Sequence, residues 1–475
     1  MGRKVLISFL GTGPNNKTKQ RQERQYRPAN YVFKDFNTDT ISKEDAFETS
    51  FVADALVKKY DIDSIILLGT VHSMWERVYE VFCENKNLPV DDAYYCNLAD
   101  HCDNADHRSE LSIPSPEKIE KVLGESSHIL LLKYGLNDAE IAYNTQVILG
   151  IEKLLQKGDE LYLDITHSFR SLPIYLMNCL IFLNNVSKKQ VSIKSISYGM
   201  LDVSTEYPTG KKNDKGDFCE FYTPVVDLKK LIEVQEWITG AYNFIEFGNA
   251  YKMAKLLEAD KSANYKKAAK GLRKFADLKN LNRLSEFRKE IDSLKPLMNS
   301  EMLPPIGQLM IPDIIDSFTK RFSANLTDYT YKYRMAEWHE KHHNYGYAFI
   351  NLVEAALSYC CELVPDSNVH LQQIMNSKSV PKRKAIGLAL SFNDSIDRNK
   401  KKPLADNFIQ LRTYLKEMMK SSDIEFSQFN MHYDKIDFDR NTLSHVLERE
   451  KPKDFSDSIK ELKEGLKYFS TIFQT

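Results

Sequence analysis

The feature that most constrains the fold is an alternation of short apolar runs with helical patterns along the first half of the chain. The apolar runs predict strands at residues 4–10, 64–68, 128–133, 160–165 and 192–198. Helical patterns lie between them, for example at residues 45–59, 137–155 and 167–185. Because strands that are apolar along their whole length are buried on both faces, this alternation predicts a doubly wound parallel sheet covered by helices.

The second half of the chain has a different pattern. From residue 231 onward glycine and proline become sparse, and helical patterns rich in lysine and glutamate follow one another. These patterns predict helices at residues 232–258, 265–275, 282–294, 311–322, 325–362, 379–390, 404–419 and 455–473. In the first half, we interpret residues 14–40 and 87–113 as polar, irregular insertions, and residues 220–228 as a closing extended stretch. We therefore predict an α/β, Rossmann-like domain at residues 1–228 and an all-α region at residues 229–475.

Composition excludes several classes of protein. The net charge is −1, so binding to nucleic acid requires a local basic site rather than the field of the whole molecule. No apolar run approaches the roughly 18 residues of a membrane span, and the first residues lack the small-residue cleavage site of a signal peptide. Seven cysteines without framework spacing suit a reducing compartment. We expect a cytoplasmic protein that does not span a membrane.

Three predicted strands end in polar turns that open helices. In a doubly wound sheet, ligands bind outside the carboxyl ends of the strands, where free backbone N–H groups and hydroxyls can hold an anion. The candidate ligand-binding residues of these turns are Gly11, Thr12, Gly13, Gly69, Thr70, Ser73, Met74, Trp75, Thr166, His167, Ser168 and Arg170. Trp75 is a candidate for stacking on a base, and Arg170 for meeting a phosphate. The alternative is that each turn only caps its helix.

Residues 11–18, GTGPNNKT, come close to the phosphate loop of nucleotide triphosphatases. That motif requires a glycine where Asn16 stands, and Asn16 also breaks the dinucleotide-binding pattern G-x-G-x-x-G. Residues 161–164, LYLD, resemble the aspartate strand of such an ATPase. Since each glycine of these motifs has a backbone role, a phosphate-loop ATPase remains a weaker alternative.

Two clusters contain residue types that bind metals. Residues 339–343, HEKHH, satisfy H-E-x-x-H, in which two histidines hold zinc and Glu340 acts as the base. Lys341 would place a cation near that metal, and no third ligand follows with zincin spacing, so a polar helix face is favoured. The second cluster lacks zinc-knuckle spacing and is interpreted as a plain loop. Its members are Cys96, His101, Cys102, Asp103 and His107. We expect no metal at either place.

Residues 439–450, DRNTLSHVLERE, form an amphipathic helical pattern near the end of the chain. Its polar residues fall on one arc of about 140°. They are Arg440, Asn441, Ser444 and His445. If Asp437 or Asp439 caps the helix, Arg440 lies in the first turn, where free N–H groups and a guanidinium form an anion site. The alternative is a solvated helix face.

Four segments resemble the CRISPR-associated ancillary effectors of type III systems, the Csx/Csm class, which join an N-terminal CARF domain to a C-terminal HEPN ribonuclease domain. The resembling segments are FLGTG at 9–13, LGTVHSMW at 68–75, DITHSFRSLP at 164–173 and RNTLSH at 440–445. The resemblance spans both halves in the family's order. The last segment fits the family's R-x(4–6)-H pattern, with Asn441 as the polar residue after the arginine. Residues 230–340 resemble the family least.

The resemblance implies a particular activity and particular partners. The CARF domain would bind a cyclic oligoadenylate made by the type III CRISPR complex, with cyclic tetra-adenylate as our choice of activator. The ligand would be shared across the two-fold axis of a homodimer, or of a higher oligomer built from it. The two HEPN domains would form one composite site for single-stranded RNA, without metal or cofactor. Some CARF domains also cut their own ligand slowly, and here Thr12, Thr166 and Ser168 are placed for contacts.

The chemistry of RNA cleavage suits the residues of the C-terminal motif. RNA carries its own nucleophile, the 2′-OH, and a histidine such as His445 moves protons at neutral pH. Arg440 can offset charge on the pentavalent phosphorus, while Asn441 and Ser444 orient the phosphate or ribose. The expected products are a 2′,3′-cyclic phosphate and a 5′-OH. The alternatives are a non-catalytic nucleotide sensor that acts through its helical half and, less favoured, a zinc peptidase.

Overall fold

The computed structural model describes residues 2–13, 28–167, 171–294, 302–322, 325–392, 404–445 and 454–473. The chain divides into two compact units, Met1–Ile232 and Glu233–Thr475. The division falls four residues beyond the boundary predicted from the sequence. Among the described helices, none combines the length and the apolarity that crossing a membrane requires.

The first unit contains a mostly parallel sheet, as predicted. Its described strands are β1 (Lys4–Leu10), β2 (Ala29–Val32), β3 (Ala46–Thr49), β4 (Ser64–Gly69), β5 (His128–Leu131), β6 (Glu160–Asp164), β7 (Ser192–Gly199) and β8 (Tyr222–Asp227). They lie in the order β3-β2-β8-β7-β6-β1-β4-β5, in which β7, β6, β1, β4 and β5 are parallel. The antiparallel pairs are β7 with β8 and β2 with β3. The predicted extended stretch at residues 220–228 is therefore a strand of the sheet.

Helices cover both faces of this sheet, which makes it doubly wound. The described helices are α1 (Val52–Tyr60), α2 (Trp75–Asn85), α3 (Asp92–Asn104), α4 (Pro116–Leu123), α5 (Asp138–Gly150) and α6 (Leu172–Asn185). Along β1, Leu6 and Leu10 join the apolar core with α1 to α4, whereas Val5, Ile7 and Phe9 join the core with α5 and α6. This alternation follows from the two-residue period of a strand, and it explains why the whole strand is apolar.

Both predicted insertions contain regular structure, so the interpretation of residues 14–40 and 87–113 as irregular is wrong in part. Strand β2 pairs with β8, and it places Tyr31 in the core. Helix α3 begins where the Asp91 carboxylate accepts a hydrogen bond from the Tyr94 amide, and it buries Leu98 and Cys102. The helix predicted at residues 45–59 begins only at Val52, because the residues before it form β3. Short strands and helices within polar sequence lack the periodicity that reveals longer ones.

The second unit is helical in the residues described. Its helices are α7 (Lys230–Phe247, which begins in the first unit), α8 (Tyr251–Glu258), α9 (Ala263–Asn280), α10 (Leu284–Leu294), α11 (Pro305–Arg321), α12 (Asp328–Lys341), α13 (Tyr345–Leu363), α14 (Val369–Lys378), α15 (Lys382–Leu390), α16 (Ala405–Lys420), α17 (Phe426–His445) and α18 (Phe455–Phe473). They form two apolar cores. One lies within α7 to α12 and the other within α12 to α18. Helix α12 joins both cores, because Trp338 faces the first and Tyr333 the second.

Two predicted long helices are each broken in two. The helix predicted at residues 232–258 is interrupted at Gly248, whose φ of +60° lies in the left-handed region. A Cβ on Gly248 would lie 2.4 Å from the Trp338 ring, so glycine serves both the turn and the packing there. The helix predicted at residues 325–362 is interrupted after Lys341, where His343 has a φ of +57°. Helix α14 was not predicted from the sequence.

Candidate functional sites

The three strands that carry the predicted ligand turns are neighbours in the sheet. Strands β6, β1 and β4 are parallel and adjacent, with Leu10 opposite Gly69 and Ser8 opposite Asp164. Their carboxyl ends therefore meet at one edge, which we call the strand-end edge and define by residues 11–13, 69–75 and 164–167. The Met74 amide donates to the Gly11 carbonyl at 3.0 Å. This bond joins the turn after β4 to the turn after β1.

The turn after β4 is filled by its own side chains. The Ser73 hydroxyl accepts from the Thr70 amide at 3.0 Å and donates to the Leu10 carbonyl at 2.8 Å. The indole N–H of Trp75 donates to the Thr70 carbonyl at 2.9 Å, and the side chain of Trp75 is 0% exposed. The stacking role predicted for Trp75 is therefore wrong, because its ring packs into the core against Gly69. Thr70, Ser73 and Met74 are also buried. The side chains of this turn therefore support the strand-end edge by packing and do not face a ligand.

The other two turns leave groups that a ligand can reach. Gly11, Thr12, Gly13, Thr166 and His167 are each partly exposed. A Cβ on Gly11 would lie 3.3 Å from the Cβ of His167, so the turns after β1 and β6 approach each other closely. The Thr166 hydroxyl accepts from the Gly199 amide at 2.8 Å, which ties the turn after β6 to the end of β7. The predicted residues Ser168 and Arg170 lie outside the described residues, as does Asn16 of the near phosphate loop.

A buried polar group that the sequence did not reveal lies behind His167. The Ser8 hydroxyl donates to the Asp164 carboxyl at 2.5 Å, and the Thr166 amide donates to the same carboxyl at 2.9 Å. The Tyr31 hydroxyl lies 3.4 Å from Nε2 of His167. Ser8 and Tyr31 were missed, because one lies inside an apolar strand and the other in a predicted insertion. The available signal was Asp164 itself, a carboxyl at the end of an apolar strand.

Burial governs the protonation of this group. It raises the pKa of Asp164, against the effects of nearby His167 and of the hydrogen bonds from Ser8 and Thr166. Burial also lowers the pKa of His167, although the Asp164 carboxyl acts in the opposite direction. The pKa of Tyr31 is raised by burial and by Asp164. Near neutral pH, His167 therefore presents an uncharged imidazole to the strand-end edge, which can donate or accept one hydrogen bond.

The predicted catalytic arginine lies inside α17 rather than at its beginning. Helix α17 runs from Phe426 to His445, so Asp437 and Asp439 are interior residues and cap nothing. The prediction that Arg440 shares a site with free N–H groups is therefore wrong.

Asp437 holds the two described members of the motif. Its carboxylate forms an ion pair with the Arg440 guanidinium one turn later. It also accepts a hydrogen bond from the side-chain amide of Asn441 at 3.1 Å. The side chain of Arg440 is 30% exposed, so it is partly open to solvent, although its Nε is buried. Ser444 and His445 belong to the same helix, but their side chains lie outside the described residues. We call the helix face with Asp437, Arg440 and Asn441 the polar face of α17.

Two further residues extend this polar face toward the start of the helix. Asn430 and Asp434 precede Asp437 at helical spacing. The side-chain amide of Asn430 donates to the Asp434 carboxylate at 2.7 Å. Burial raises the pKa of Asp434 to about 6, with a further upward effect of Asp437 and an opposing effect of Arg412. Sequence reasoning missed both residues because it started the helix too late. The repeat of polar residues at positions 430, 434, 437 and 441 was the signal.

The structure contradicts the zinc interpretation of HEKHH. His339 is 0% exposed, and burial lowers its pKa to about 3, helped by nearby Lys279 and His342. His343 lies beyond the end of α12 and is exposed, with Nδ1 2.9 Å from the Tyr345 hydroxyl. The two histidines therefore do not share a helical face. Throughout the described ranges, no group of three or more histidine, cysteine, aspartate or glutamate side chains is arranged to hold a metal ion.

The cluster at residues 96–107 is largely helical, so its interpretation as a plain loop is wrong. Cys102 is buried in the core beneath α3, and its carbonyl lies 2.7 Å from Nδ1 of His72. His101 has Nε2 3.0 Å from the Ser112 carbonyl, while Cys96 is exposed. These residues hold α3 and the loop after it in place, and their side chains do not converge.

Comparison with known proteins identifies the first unit. Residues 5–201 match the family model for the CARF domain of the CRISPR system endoribonuclease Csx1. Residues 233–332 match the second domain of the CRISPR-associated protein MJ1674, and they cover most of the segment 230–340, which resembles the family least in sequence. The first unit is therefore similar to a CARF domain of the Csx1 type, in agreement with its Rossmann-like sheet.

A relative matches almost the whole chain. The CRISPR-associated protein MJ1674 of Methanocaldococcus jannaschii is 30% identical over 468 residues, which are 95% of this chain. The chain spans 64% of the length of that relative. Among solved structures, Enterococcus italicus Csm6 bound to cyclic hexa-2'-fluoro-hexa-dAMP aligns with 100% of this chain and 94% of that chain. Its TM-score is 0.34 and its identity 12%, a likeness too weak to add to the argument.

Proposed function

We propose that this chain is a cytoplasmic endoribonuclease gated by a cyclic oligoadenylate, and that it cuts single-stranded RNA in type III CRISPR defence. The observation that carries the proposal is the cluster of Asp437, Arg440 and Asn441 on one helix face, in a chain whose first unit is similar to a CARF domain. The arginine is oriented by a carboxylate yet remains partly open to solvent. A phosphodiester could therefore approach it.

The reaction needs no metal or cofactor. The 2′-oxygen of a ribose attacks the adjacent phosphorus while a base takes its proton. The bond from phosphorus to the 5′-oxygen breaks, and that oxygen receives a proton from an acid. His445 exchanges these protons, Arg440 offsets charge on the five-coordinate phosphorus, and Asn441 and Ser444 orient the phosphate or ribose. The products are a 2′,3′-cyclic phosphate and a 5′-OH end.

A homodimer, alone or within a higher oligomer, would complete the site, because one histidine cannot serve at once as base and acid. Helix α7 offers a surface for a second copy. Leu231, Ile238 and Ile245 follow one another at intervals of seven residues on one face, and each is 51 to 53% exposed. An antiparallel pair of α7 helices centred on Ile238 would bring Lys230 of one copy opposite Glu246 of the other. Apolar residues flanked by opposite charges favour such a self-complementary contact.

The strand-end edge would bind the activator, for which we propose cyclic tetra-adenylate. A ring of phosphates needs hydrogen-bond donors, and the partly exposed turns supply backbone N–H groups, hydroxyls and a histidine. Thr12, Thr166 and His167 are the reachable side chains among the described residues of this edge. The activator must bind the active arrangement of the protein more tightly than the inactive one, since equal affinity would shift nothing.

The test is RNA cutting in EDTA by purified protein, with cyclic tetra-adenylate, cyclic hexa-adenylate or neither. We expect cutting that requires one ring and is lost in His445→Ala. Thr442→Ala is the matched control, because Thr442 is partly exposed on the same helix and its hydroxyl bonds only the Phe438 carbonyl in the described contacts. Full cutting by His445→Ala would contradict the proposed catalysis. No cutting with either ring by a folded dimer would favour the non-catalytic sensor.

Slow cutting of the activator by the CARF domain is a second activity that we propose. His167 is an uncharged imidazole near neutral pH, and its pKa is affected by the nearby Asp164 carboxyl. Thr12 and Thr166 belong to the same strand-end edge. The measurement is the lifetime of cyclic tetra-adenylate with His445→Ala, compared with a variant that also carries His167→Ala. A shorter lifetime with the single variant is expected. Equal lifetimes, both as long as without protein, would contradict a ring-cutting activity.

A further inference from the structure

A cavity of about 640 Å³ lies between α15, α16 and α17. Its lining includes Arg412, Lys416, Phe426, Asn430 and Asp434. The last two residues belong to the polar face of α17 that continues to Arg440. With a rise of about 1.5 Å per residue, Asp434 lies about 9 Å from Arg440 along the helix axis. The cavity therefore adjoins the proposed cleavage site on one side, on the same helix.

Two of the side chains that line the cavity, Arg412 and Phe426, pack on each other. The Arg412 guanidinium lies 5.3 Å from the centre of the Phe426 ring. The guanidinium donates to the carbonyls of Ala389 at 3.1 Å and Phe392 at 3.2 Å, and also to the carbonyl of Leu390. It therefore caps the C-terminal end of α15. These bonds hold the guanidinium in one orientation. Nucleobases stack on guanidinium planes and on aromatic rings, and both are present here.

A second cation lines the same cavity. Lys416 is one helical turn after Arg412 and is exposed, and no ion pair joins it to another of the residues described. Arg412 donates to the three backbone carbonyls through Nη1, and Lys416 adds a second cation that is able to meet a phosphate. Stacking surface and cation together suit a nucleotide rather than an inorganic anion.

The wall formed by α17 presents hydrogen-bond acceptors. The Asn430 amide nitrogen donates to Asp434, which fixes the orientation of the amide because the reverse one would oppose two oxygens. Its Oδ1 is buried and has no partner among the residues described. Oδ1 and the Asp434 carboxylate are thus neighbouring acceptors. Adenine, cytosine and guanine carry an amino group that can meet them, whereas uracil offers one N–H between two carbonyl oxygens.

We propose that this cavity binds one nucleotide of the RNA substrate beside the scissile phosphate, and that Asn430 and Asp434 disfavour uracil there. This inference rests on the proposed ribonuclease function and assigns to it a base-selecting subsite. Arg412 and Phe426 supply the stacking surface, and Lys416 meets the backbone of the RNA. Selection at this place is by exclusion: an amino group would pair with the buried Oδ1 of Asn430, whereas a uracil carbonyl would face this oxygen and leave it unpaired.

The first experiment maps cut sites in random-sequence RNA with the activating ring present. For the unsubstituted protein, we expect uridine to be depleted about tenfold at one position next to the cut. Asn430→Ala and Asp434→Asn should each abolish most of that depletion. Gln428→Ala, an exposed position on the other side of α17, should leave it unchanged. Cutting without depletion of uridine at any flanking position, or depletion that survives both substitutions, would overturn the subsite.

The second experiment measures RNA binding by fluorescence anisotropy without activator. An adenine-rich oligonucleotide should bind more tightly than a uracil-rich one of equal length. Lys416→Ala should weaken both several-fold, whereas Lys420→Ala, one turn further along the same helix, should not. Equal affinities for the two oligonucleotides together with no effect of Lys416→Ala would overturn the proposal. Failure of the unsubstituted protein to cut RNA with any ring would contradict the proposed function instead. Thermal unfolding of each variant separates loss of binding from loss of fold.

Discussion

The strand-end edge and the polar face of α17 are built by different means. The edge is made by backbone: three strands whose register is set by the sheet, with turns held together by bonds such as Met74 to Gly11. The polar face is made by side chains on one helix, where Asp437 orients Arg440 and Asn441. A site made by backbone is sensitive to packing beneath it. A site made by side chains is sensitive to single functional groups and tolerates most neighbouring changes.

The largest effect should come from a single group on the helical side. Arg440→Ala removes the charge that offsets the five-coordinate phosphorus, so RNA cutting with activator should fall about a thousandfold. Arg440→Lys should recover only part of this loss, because an ammonium lacks the planar fork that Asp437 orients. The rate of cutting with saturating activator is the measurement. A rate within about twofold of the unsubstituted protein for Arg440→Ala would show that the polar face is not the site.

The backbone-built edge should respond to a single methyl group. A Cβ on Gly69 would lie 2.7 Å from the Trp75 ring and 2.8 Å from the Ser73 hydroxyl. Because both side chains are buried, Gly69→Ala should lower the free energy of unfolding by about 2–3 kcal/mol. Gly150→Ala is the matched control, since nothing lies within 4 Å of a Cβ there. Urea denaturation measures both variants, and equal stabilities would refute the packing described for this turn.

The buried histidine of α12 shows how a core residue differs from a metal ligand. His339 has a pKa lowered to about 3, so it must remain uncharged in the folded protein but can gain a proton on unfolding. Stability is therefore lost as the pH falls below about 6.5. Between about pH 6.5 and 5 this loss should be about 2 kcal/mol, and His339→Phe should remove it. A zinc content near one per chain, lost in this variant, would contradict the role of His339 as a core residue.

The smallest effect should come from the titration of Asp434. Its folded pKa of about 6 lies above the ordinary carboxyl value, so its charge is disfavoured by folding. Its contribution is fully favourable below about pH 4 and is lost as the pH rises through about 6. Because Asp434 is exposed in part, we expect less than about 1 kcal/mol. The melting temperature of Asp434→Asn minus that of the unsubstituted protein should therefore rise between about pH 4 and 7. Parallel curves would contradict a raised pKa for the Asp434 carboxyl.

The parts that the sequence predicted well are those with long periodic patterns. Strand β1 and helix α18 have the predicted bounds, because an apolar strand and an amphipathic helix each repeat their pattern over their whole length. Strand β2 is four residues long and lies in polar sequence, so Tyr31 and its contact with His167 were not predicted.

The errors at the candidate sites have a common physical origin. Asp437 and Asp439 look like caps, but an aspartate is equally suited to a helix interior when an arginine and an asparagine follow at three and four residues. Trp75 lies at a helix start beside a binding edge, and the sequence does not say that its ring turns inward under Gly69. Side-chain direction depends on packing, which local sequence patterns do not encode.

Control of the nuclease by the strand-end edge is tested by titrating RNA cutting with cyclic tetra-adenylate for the unsubstituted protein, His167→Ala and His128→Ala. His128 is a matched control because it begins β5 at the opposite end of the sheet. We predict that His167→Ala raises the activator concentration at half-maximal rate at least about tenfold, while the maximal rate is unchanged. His128→Ala should behave as the unsubstituted protein. An unchanged midpoint for a folded His167→Ala would contradict the claim that the strand-end edge binds the ligand that controls the nuclease.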